Sequence, residues 1–213
     1  MYEDIVREFY AQRLNRVAKA LKRNGFEAYV AADKKEAAEL VLKLIPENSV
    51  VGIGGSVTIR QLGLVEALEK RGFKVVHHWV KASPEEVDEL RRKELTAEVF
   101  LSSSNAITLD GKLVNVDGVG NRVAAMIFGP RRVIVVAGRN KIVRDLEEAM
   151  RRARDIAAIM NWMRLGLDNP CQKTSCCVDC DSPTRGCRIT VIIEKRPLRT
   201  DFHVILVNED LGF

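Results

Sequence analysis

The sequence predicts an α/β fold: a mostly parallel β-sheet covered by helices, with a cysteine-rich insertion near the C-terminal end. Three observations carry this. Short apolar runs, the clearest being Arg132–Ala137, alternate with stretches of helical apolar periodicity. Helix start and stop signals sit between them, such as Asp33 ahead of a second helix and Pro46 behind it. All five cysteines fall between Cys171 and Cys187 in a Pro/Gly/Ser/Asp-rich loop.

Over Tyr2–Asn24, residues Val6, Tyr10, Leu14, Val17 and Leu21 share one face, and Asn24-Gly25 closes this N-terminal helix (residues 1–24). Phe26–Ala31 reads as a strand. Asp33 caps a helix carrying Ala37, Leu40, Val41 and Leu44. The run Ser49–Thr58 reads as a buried strand entering a Gly-rich turn, and a helix runs on to about Lys70. Lys74–Val80 is the next strand. Ser83-Pro84-Glu85-Glu86 is a capping box with proline at the first helical position, opening a helix to about Ala97.

Val99–Ser103 follows as a strand. Ile107–Asn115 reads as a hairpin, because Asp110-Gly111 suits a type I′ turn. The loop Asp117–Arg122 leads to a short helix ending at Gly129-Pro130. After the strand Arg132–Ala137, one long helix is expected from Ile142 to about Leu165. Ile189–Glu194 and Phe202–Asn208 are the final strands; as a pair, with the hairpin, they add antiparallel character. Residues 1–213 read as a single domain, with 170–188 inserted before the last two strands.

A chain of 213 residues can bury a sizeable core, and 46% hydrophobic with 30% charged residues is the composition of a folded globular protein. The net charge of +5 comes from Lys and Arg interspersed with Asp and Glu. That pattern describes solvated helix faces, and no nucleic-acid partner is expected. No apolar run approaches the roughly 18–20 residues of a membrane span. A cytoplasmic location is therefore expected, where thiols stay reduced and metal binding gains over disulfides.

Parallel α/β sheets bind ligands at the carboxyl ends of their strands. Three loops there carry unusual residues. In the first, Gly54, Gly55, Ser56 and Thr58 offer backbone amides and hydroxyls to a phosphate or carboxylate. The alternative is a plain tight turn with Ser56 as a helix cap. The spacing matches neither a P-loop nor the dinucleotide fingerprint. In the second, Asp117, Gly118, Gly120, Asn121 and Arg122 form a dense polar loop. Arg122 can clamp an anion bidentately, and Asp117 is the one catalytic candidate, as base or nucleophile, or else it caps the following helix. In the third, Asn140 and Lys141 add hydrogen bonding and positive charge, or only cap a helix. Asn105, beyond the strand Val99–Ser103, can point into the same crevice. His77 and His78 sit in a strand with side chains on opposite faces, so they read as core packing plus surface.

Cys177-x-x-Cys180 is a chelating pair, and Cys171 and Cys187 on either side can complete a four-thiolate site. The irregular spacing favours an iron–sulfur cluster, with zinc as the alternative. Disulfides and a free reactive thiol, for which Cys176 is the candidate, also stay open.

The run Asn105-Ala-Ile-Thr-Leu-Asp-Gly-Lys-Leu-Val-Asn-Val-Asp-Gly-Val-Gly-Asn-Arg, continuing to Pro130, resembles the signature of the LUD-domain, or lactate-utilisation, family. The segments Val133–Val143 and Thr200–Gly212 and the Gly-Ile-Gly-Gly-Ser turn extend the likeness over nearly the whole chain. A branch with a cysteine loop is matched at Pro170-Cys171, Cys177, Cys180, Ser182-Pro183, Arg185 and Cys187. Cys176 lies outside that pattern, which makes it a spare thiol.

The resemblance implies a NagB/RpiA/CoA-transferase-like fold whose Gly-rich turn holds a small anionic substrate: a carboxylate, a phosphate or a CoA ester. It implies an iron–sulfur subunit or accessory in the oxidation of L-lactate to pyruvate, beside iron–sulfur oxidoreductase partner proteins. A homo-oligomer is compatible with it. Two other readings stand beside this one. The first is a stand-alone transferase or isomerase on a small phosphorylated or acyl substrate, with structural zinc; the second is a redox-sensing binding protein. The cysteine loop is expected not to lie near enough to the crevice to exchange electrons with a substrate there, and to serve partner contact or stability.

Overall fold

Two β-sheets organise the chain in the computed structural model, which describes residues 1–213. The larger holds six strands, all parallel, in the order β1-β10-β7-β4-β2-β3. These are β1 (Glu27–Ala31), β2 (Val50–Ile53), β3 (Lys74–His77), β4 (Val99–Ser102), β7 (Arg132–Gly138) and β10 (Asp201–Val207). The smaller sheet runs β8-β5-β6-β9, from β5 (Ala106–Thr108), β6 (Leu113–Asp117), β8 (Ile142–Val143) and β9 (Ile189–Ile193).

Helices cover both faces of the large sheet, which is why Val133–Gly138 of β7 and Val204–Val207 of β10 read as unbroken apolar runs. On one face α1 (Tyr2–Arg23) sets Leu14, Val17 and Leu21 against Phe26, Phe100 and Phe202. On the other, α2 (Lys34–Leu44), α3 (Val57–Gln61) and α4 (Leu64–Lys70) bury Val41, Ile59 and Leu68 against Ile53, Leu101, Ile134 and Ile205. The α5 helix (Pro84–Leu95) has the expected capping box, with Ser83 Oγ accepting from Glu86 N–H and Glu86 answering at Ser83 N–H. The short α6 (Asn121–Ile127) follows β6.

Several elements differ from the sequence reading. The helix after the Gly-rich turn breaks at Leu62-Gly63, where Gly63 takes a left-handed φ of 61°. The third strand stops at His77. Only Gly111 of the hairpin turn has positive φ (84°), and a type I′ turn requires it at Asp110 as well. Gly111 is instead pressed on α1: a Cβ there would lie 2.8 Å from Leu21 N, which no other residue could tolerate without a shift.

Ile142 and Val143 pair with β5, so they are strand where helix was expected. The helical body starts at Asp145, whose Oδ1 accepts from Glu148 N–H. It comprises α7 (Leu146–Arg152), a π-helical stretch Ala153–Ala158, and α8 (Ile159–Arg164). The last two strands do not pair with each other. β9 lies antiparallel to β6, while β10 inserts parallel between β1 and β7. The burial of Phe202–Val207 explains why: such a strand needs cover on both faces, and β9 is only half buried. No helix is long and apolar enough to cross a membrane.

Candidate functional site

A crevice of about 390 Å³ opens where the loops after β2, β4 and β7 meet. The first loop brings Gly55, Ser56 and Thr58 to it. Asn105, Asp117, Gly118, Asn121 and Arg122 come from the middle of the chain, and Lys141 from a single 3-10 turn after β7, Arg139–Lys141. Three predicted residues stand behind the walls. Gly54 leaves room for Phe100 and Arg122: a Cβ would lie 2.9 Å from the Phe100 ring. Gly120 starts α6 with φ 94°. Asn140 ties down the chain's last residues, accepting from Leu211 N–H and donating to Gly212 O.

Arg122 is not the open clamp its sequence context suggests. Its guanidinium donates to Ser103 O (3.1 Å), Asn115 Oδ1 (2.7 Å), Asn105 Oδ1 (3.3 Å) and Val116 O (2.9 Å), and its Nε lies 3.5 Å from Asp117 Oδ2. Every direction of the planar fork is used. Burial pulls its pKa down, against the pull of Asp117. Arg122 thus ties the loop after β4 to β6. Asp117 is similarly committed: Oδ1 accepts from Gly118 N–H at 2.8 Å and Oδ2 from Val123 N–H at 3.2 Å, holding the start of α6. Ser56 also acts as a cap, its Oγ accepting from Ile59 N–H.

Lys141 is 3% exposed, and its Nζ donates to Thr58 Oγ1 and Ser103 Oγ, both at 3.0 Å. Burial pushes its pKa well below the ordinary lysine value, and the charges of Arg152 and Arg122 push the same way. Arg152, buried against Asn140 O and Asn105 O, is itself lowered to about 10 by burial.

Sequence reasoning passed over a further group. His78 Nδ1 lies 2.6 Å from Oε1 of Glu94, whose side chain is 1% exposed. Asn121 Nδ2 donates to the other carboxylate oxygen at 3.3 Å. The opposite edge of the His78 ring faces the Gly-rich turn: a Cβ on Gly55 would lie 3.3 Å from Nε2. Because β3 ends at His77, His78 escapes the strand alternation that assigned it to packing or surface. Glu94 gave no signal either, being one acid among many on a charged helix.

Arg60 and Arg164 also line the crevice. Arg60 lies over the Trp79 ring, 4.0 Å from its centroid, and Trp79 Nε1 is buried without an acceptor. Burial lowers the pKa of Arg164, and the nearby charge of Arg60 lowers it further. Of the arginines on the walls, Arg91 is paired with Asp88 and Arg122 with Asp117, while Arg60 and Arg164 have no acidic partner.

The four cysteines predicted as ligands come together. Cys171, Cys177, Cys180 and Cys187 line one small pocket of about 20 Å³, while Cys176 is exposed and outside it. Arg185 braces the loop by donating to Cys180 O (2.7 Å), Cys187 O (3.1 Å) and Asp179 Oδ1 (2.7 Å). Asp155, from the π-helical stretch, accepts from Cys177 N–H at 2.8 Å. No three His, Cys, Asp or Glu side chains stand at metal-coordinating geometry, so the thiols are neighbours and not a closed shell.

The loop does not stand apart from the crevice. Trp162 lines both spaces, and its Nε1 donates to Cys187 Sγ. Arg188 N–H bonds Asp117 O, and a Cβ on Gly118 would lie 3.0 Å from Gly186 O. The cysteine loop is therefore packed on the crevice wall.

No curated protein matches the chain in sequence. Among solved structures, the chain is similar to a DUF162-family protein from Deinococcus radiodurans, with a TM-score of 0.54 and 16% identity over 93% of this chain and 98% of that one. At that identity the likeness speaks for the fold alone. A model of the LUD domain matches residues 14–207. The chain belongs to the LUD-domain family, which is associated with lactate utilisation.

Proposed function

We propose that the crevice binds a small organic anion of the lactate–pyruvate type, and that the protein is a cytoplasmic subunit or accessory of L-lactate oxidation. One observation carries this reading: Arg60 and Arg164 line the crevice close enough to oppose each other's charge, and neither has an acidic partner. Neighbouring like charges repel, and an anion bound between them relieves that repulsion. The unpartnered Trp79 Nε1–H offers a further donor.

The cysteine pocket suits a thiophilic metal in the kind and number of its donors. Burial raises the pKa of the Cys171 thiol, and negative charge on Cys180 and Cys187 raises it further, a repulsion that a bound cation relieves. Cys171, Cys177, Cys180 and Cys187 would hold an iron–sulfur cluster, which supplies one-electron transfer when bound. On this chain's side, Trp162 and Arg185 fix the loop, and the Arg60–Arg164 pair orients the anion.

Calorimetric titration of L-lactate and pyruvate tests the reading. Both should bind, more weakly at high salt, and Arg60→Gln with Arg164→Gln should weaken binding by at least about tenfold. Equal affinity in the double variant would refute it.

A second reading, a stand-alone enzyme on a small phosphorylated or acyl substrate with zinc among the cysteines, is favoured by the His78–Glu94 pair, an arrangement suited to acid–base work. Elemental analysis separates the two: zinc without iron would support the second.

A further inference from the structure

We propose that Lys141 is a carbonyl-reactive amine, placed to form an imine with a 2-oxo acid that enters the crevice. The inference rests on the preceding reading only for the entry of a small anion.

The geometry around the amine argues for it. Thr58 Oγ1 and Ser103 Oγ both lie 3.0 Å from Lys141 Nζ. Each hydroxyl directs its own hydrogen to a backbone carbonyl, Thr58 to Leu211 O at 3.3 Å and Ser103 to Ser104 O at 3.4 Å. Both must therefore accept from the amine. A neutral amine has two N–H groups and one lone pair, and here both N–H groups are matched. The direction left over is that of the lone pair.

An ammonium in the same place would carry a third N–H with no protein acceptor. No acid supports the charged form: the two hydroxyls are the side-chain partners, and the charges that act on Lys141 are the like-signed Arg122 and Arg152. Desolvation beside other cations is the setting in which a lysine becomes a nucleophile near neutral pH. The chain's C-terminal end shields one side. A Cβ on Gly212 would lie 2.4 Å from Thr58 Oγ1 and 3.3 Å from Lys141 Nζ, so only glycine lets the backbone close over the amine there.

The chemistry balances without a redox partner. The amine lone pair adds to the carbonyl carbon, a C–N bond forms, and the carbonyl electron pair moves to oxygen, which takes up a proton. The resulting hydroxyl leaves as water while the nitrogen gives up its remaining protons, so amine plus ketone yields imine plus water. His78, which lines the same crevice and is backed by the buried Glu94, is the side chain suited to give and take these protons. The Arg60–Arg164 charge accounts for the carboxylate of a 2-oxo acid, and Lys141 for its carbonyl.

The test treats the full-length protein with pyruvate and cyanoborohydride, which reduces an imine to a stable carboxyethyl-lysine, and maps the adduct by peptide mass spectrometry. Adduct should collect at Lys141 about tenfold faster than at surface lysines. It should vanish from that position in Lys141→Met and Lys141→Arg, the latter serving if the former fails to fold. Two companion measurements use the unmodified chain: calorimetry of pyruvate without reductant, and labelling of lysines by limiting formaldehyde with cyanoborohydride. Pyruvate binding with no adduct at Lys141 overturns the inference and leaves the anion crevice standing. Absent pyruvate binding, with Lys141 still the lysine labelled fastest, overturns the anion reading and keeps the reactive amine. Labelling of Lys141 no faster than the surface average, without pyruvate adduct, overturns the inference whatever binds.

Discussion

Trp162 Nε1 donates to Cys187 Sγ at 3.3 Å, so one indole ring is a wall of both the crevice and the cysteine pocket. Gly186 makes this contact possible, since a Cβ there would lie 2.4 Å from the Trp162 ring. A change on either side of the ring is felt on the other.

Fluorescence reads that coupling directly. The chain has two tryptophans, Trp79 and Trp162. Anaerobic reconstitution with iron and sulfide should quench most of the Trp162 emission, and Trp162→Phe should abolish that response while leaving the Trp79 signal. Quenching that survives Trp162→Phe unchanged would show that the metal sits elsewhere.

The cysteines should divide four to one. Cys176 is exposed and outside the pocket shared by the other four. Cys176→Ser should keep full metal content by elemental analysis, whereas Cys171→Ser, Cys177→Ser, Cys180→Ser and Cys187→Ser should each lose most of it.

Glu94 should matter for stability beyond its place on a surface-charged helix. Glu94→Ala strips acceptors from His78 Nδ1 and Asn121 Nδ2. The expected cost is about 2–4 kcal/mol, with roughly 1 kcal/mol for Glu94→Gln, which keeps one acceptor oxygen. Urea unfolding of the three proteins gives both figures.

Lys141 imposes a pH dependence whose sign follows from its depressed pKa. The unfolded chain binds that proton with the ordinary affinity near 10.5, and the folded chain binds it more weakly. Between the two values, unfolding takes up a proton, so this residue's contribution to stability rises with pH by up to about 1.4 kcal/mol per unit. Comparing wild type with Lys141→Met by urea unfolding from neutral pH upward isolates it. Wild type should gain on the variant as pH rises, and parallel profiles would refute the prediction.

Much of this was legible in the sequence, for physical reasons. Capping residues at Asp33 and Ser83 and the doubly apolar run Arg132–Ala137 act locally, and local signals survive without tertiary knowledge. The loops after β2, β4 and β7 were identifiable because parallel topology fixes where they meet. What the chain hid was partnership. Nothing near Arg122 in sequence says that four carbonyl oxygens consume its donors, and nothing near His78 says that a carboxylate on α5 lies behind it. The fate of Ile189–Glu194 was similarly hidden, since its pairing with β6 depends on how the helical body after β8 leads the chain back.

The strand order of the large sheet constrains how the protein can acquire its fold. The strand β1 joins the sheet only through β10, so the segment Glu27–Ala31 has no strand partner until residues 201–207 are available. During synthesis, the first strand made must wait for the last. Contacts that span most of a chain slow folding and leave intermediates with open sheet edges. For this protein, the strands β7, β4, β2 and β3 can pair first, but completion of the sheet is a late event, and the crevice that Lys141 lines cannot be complete before the ribosome has finished with β10.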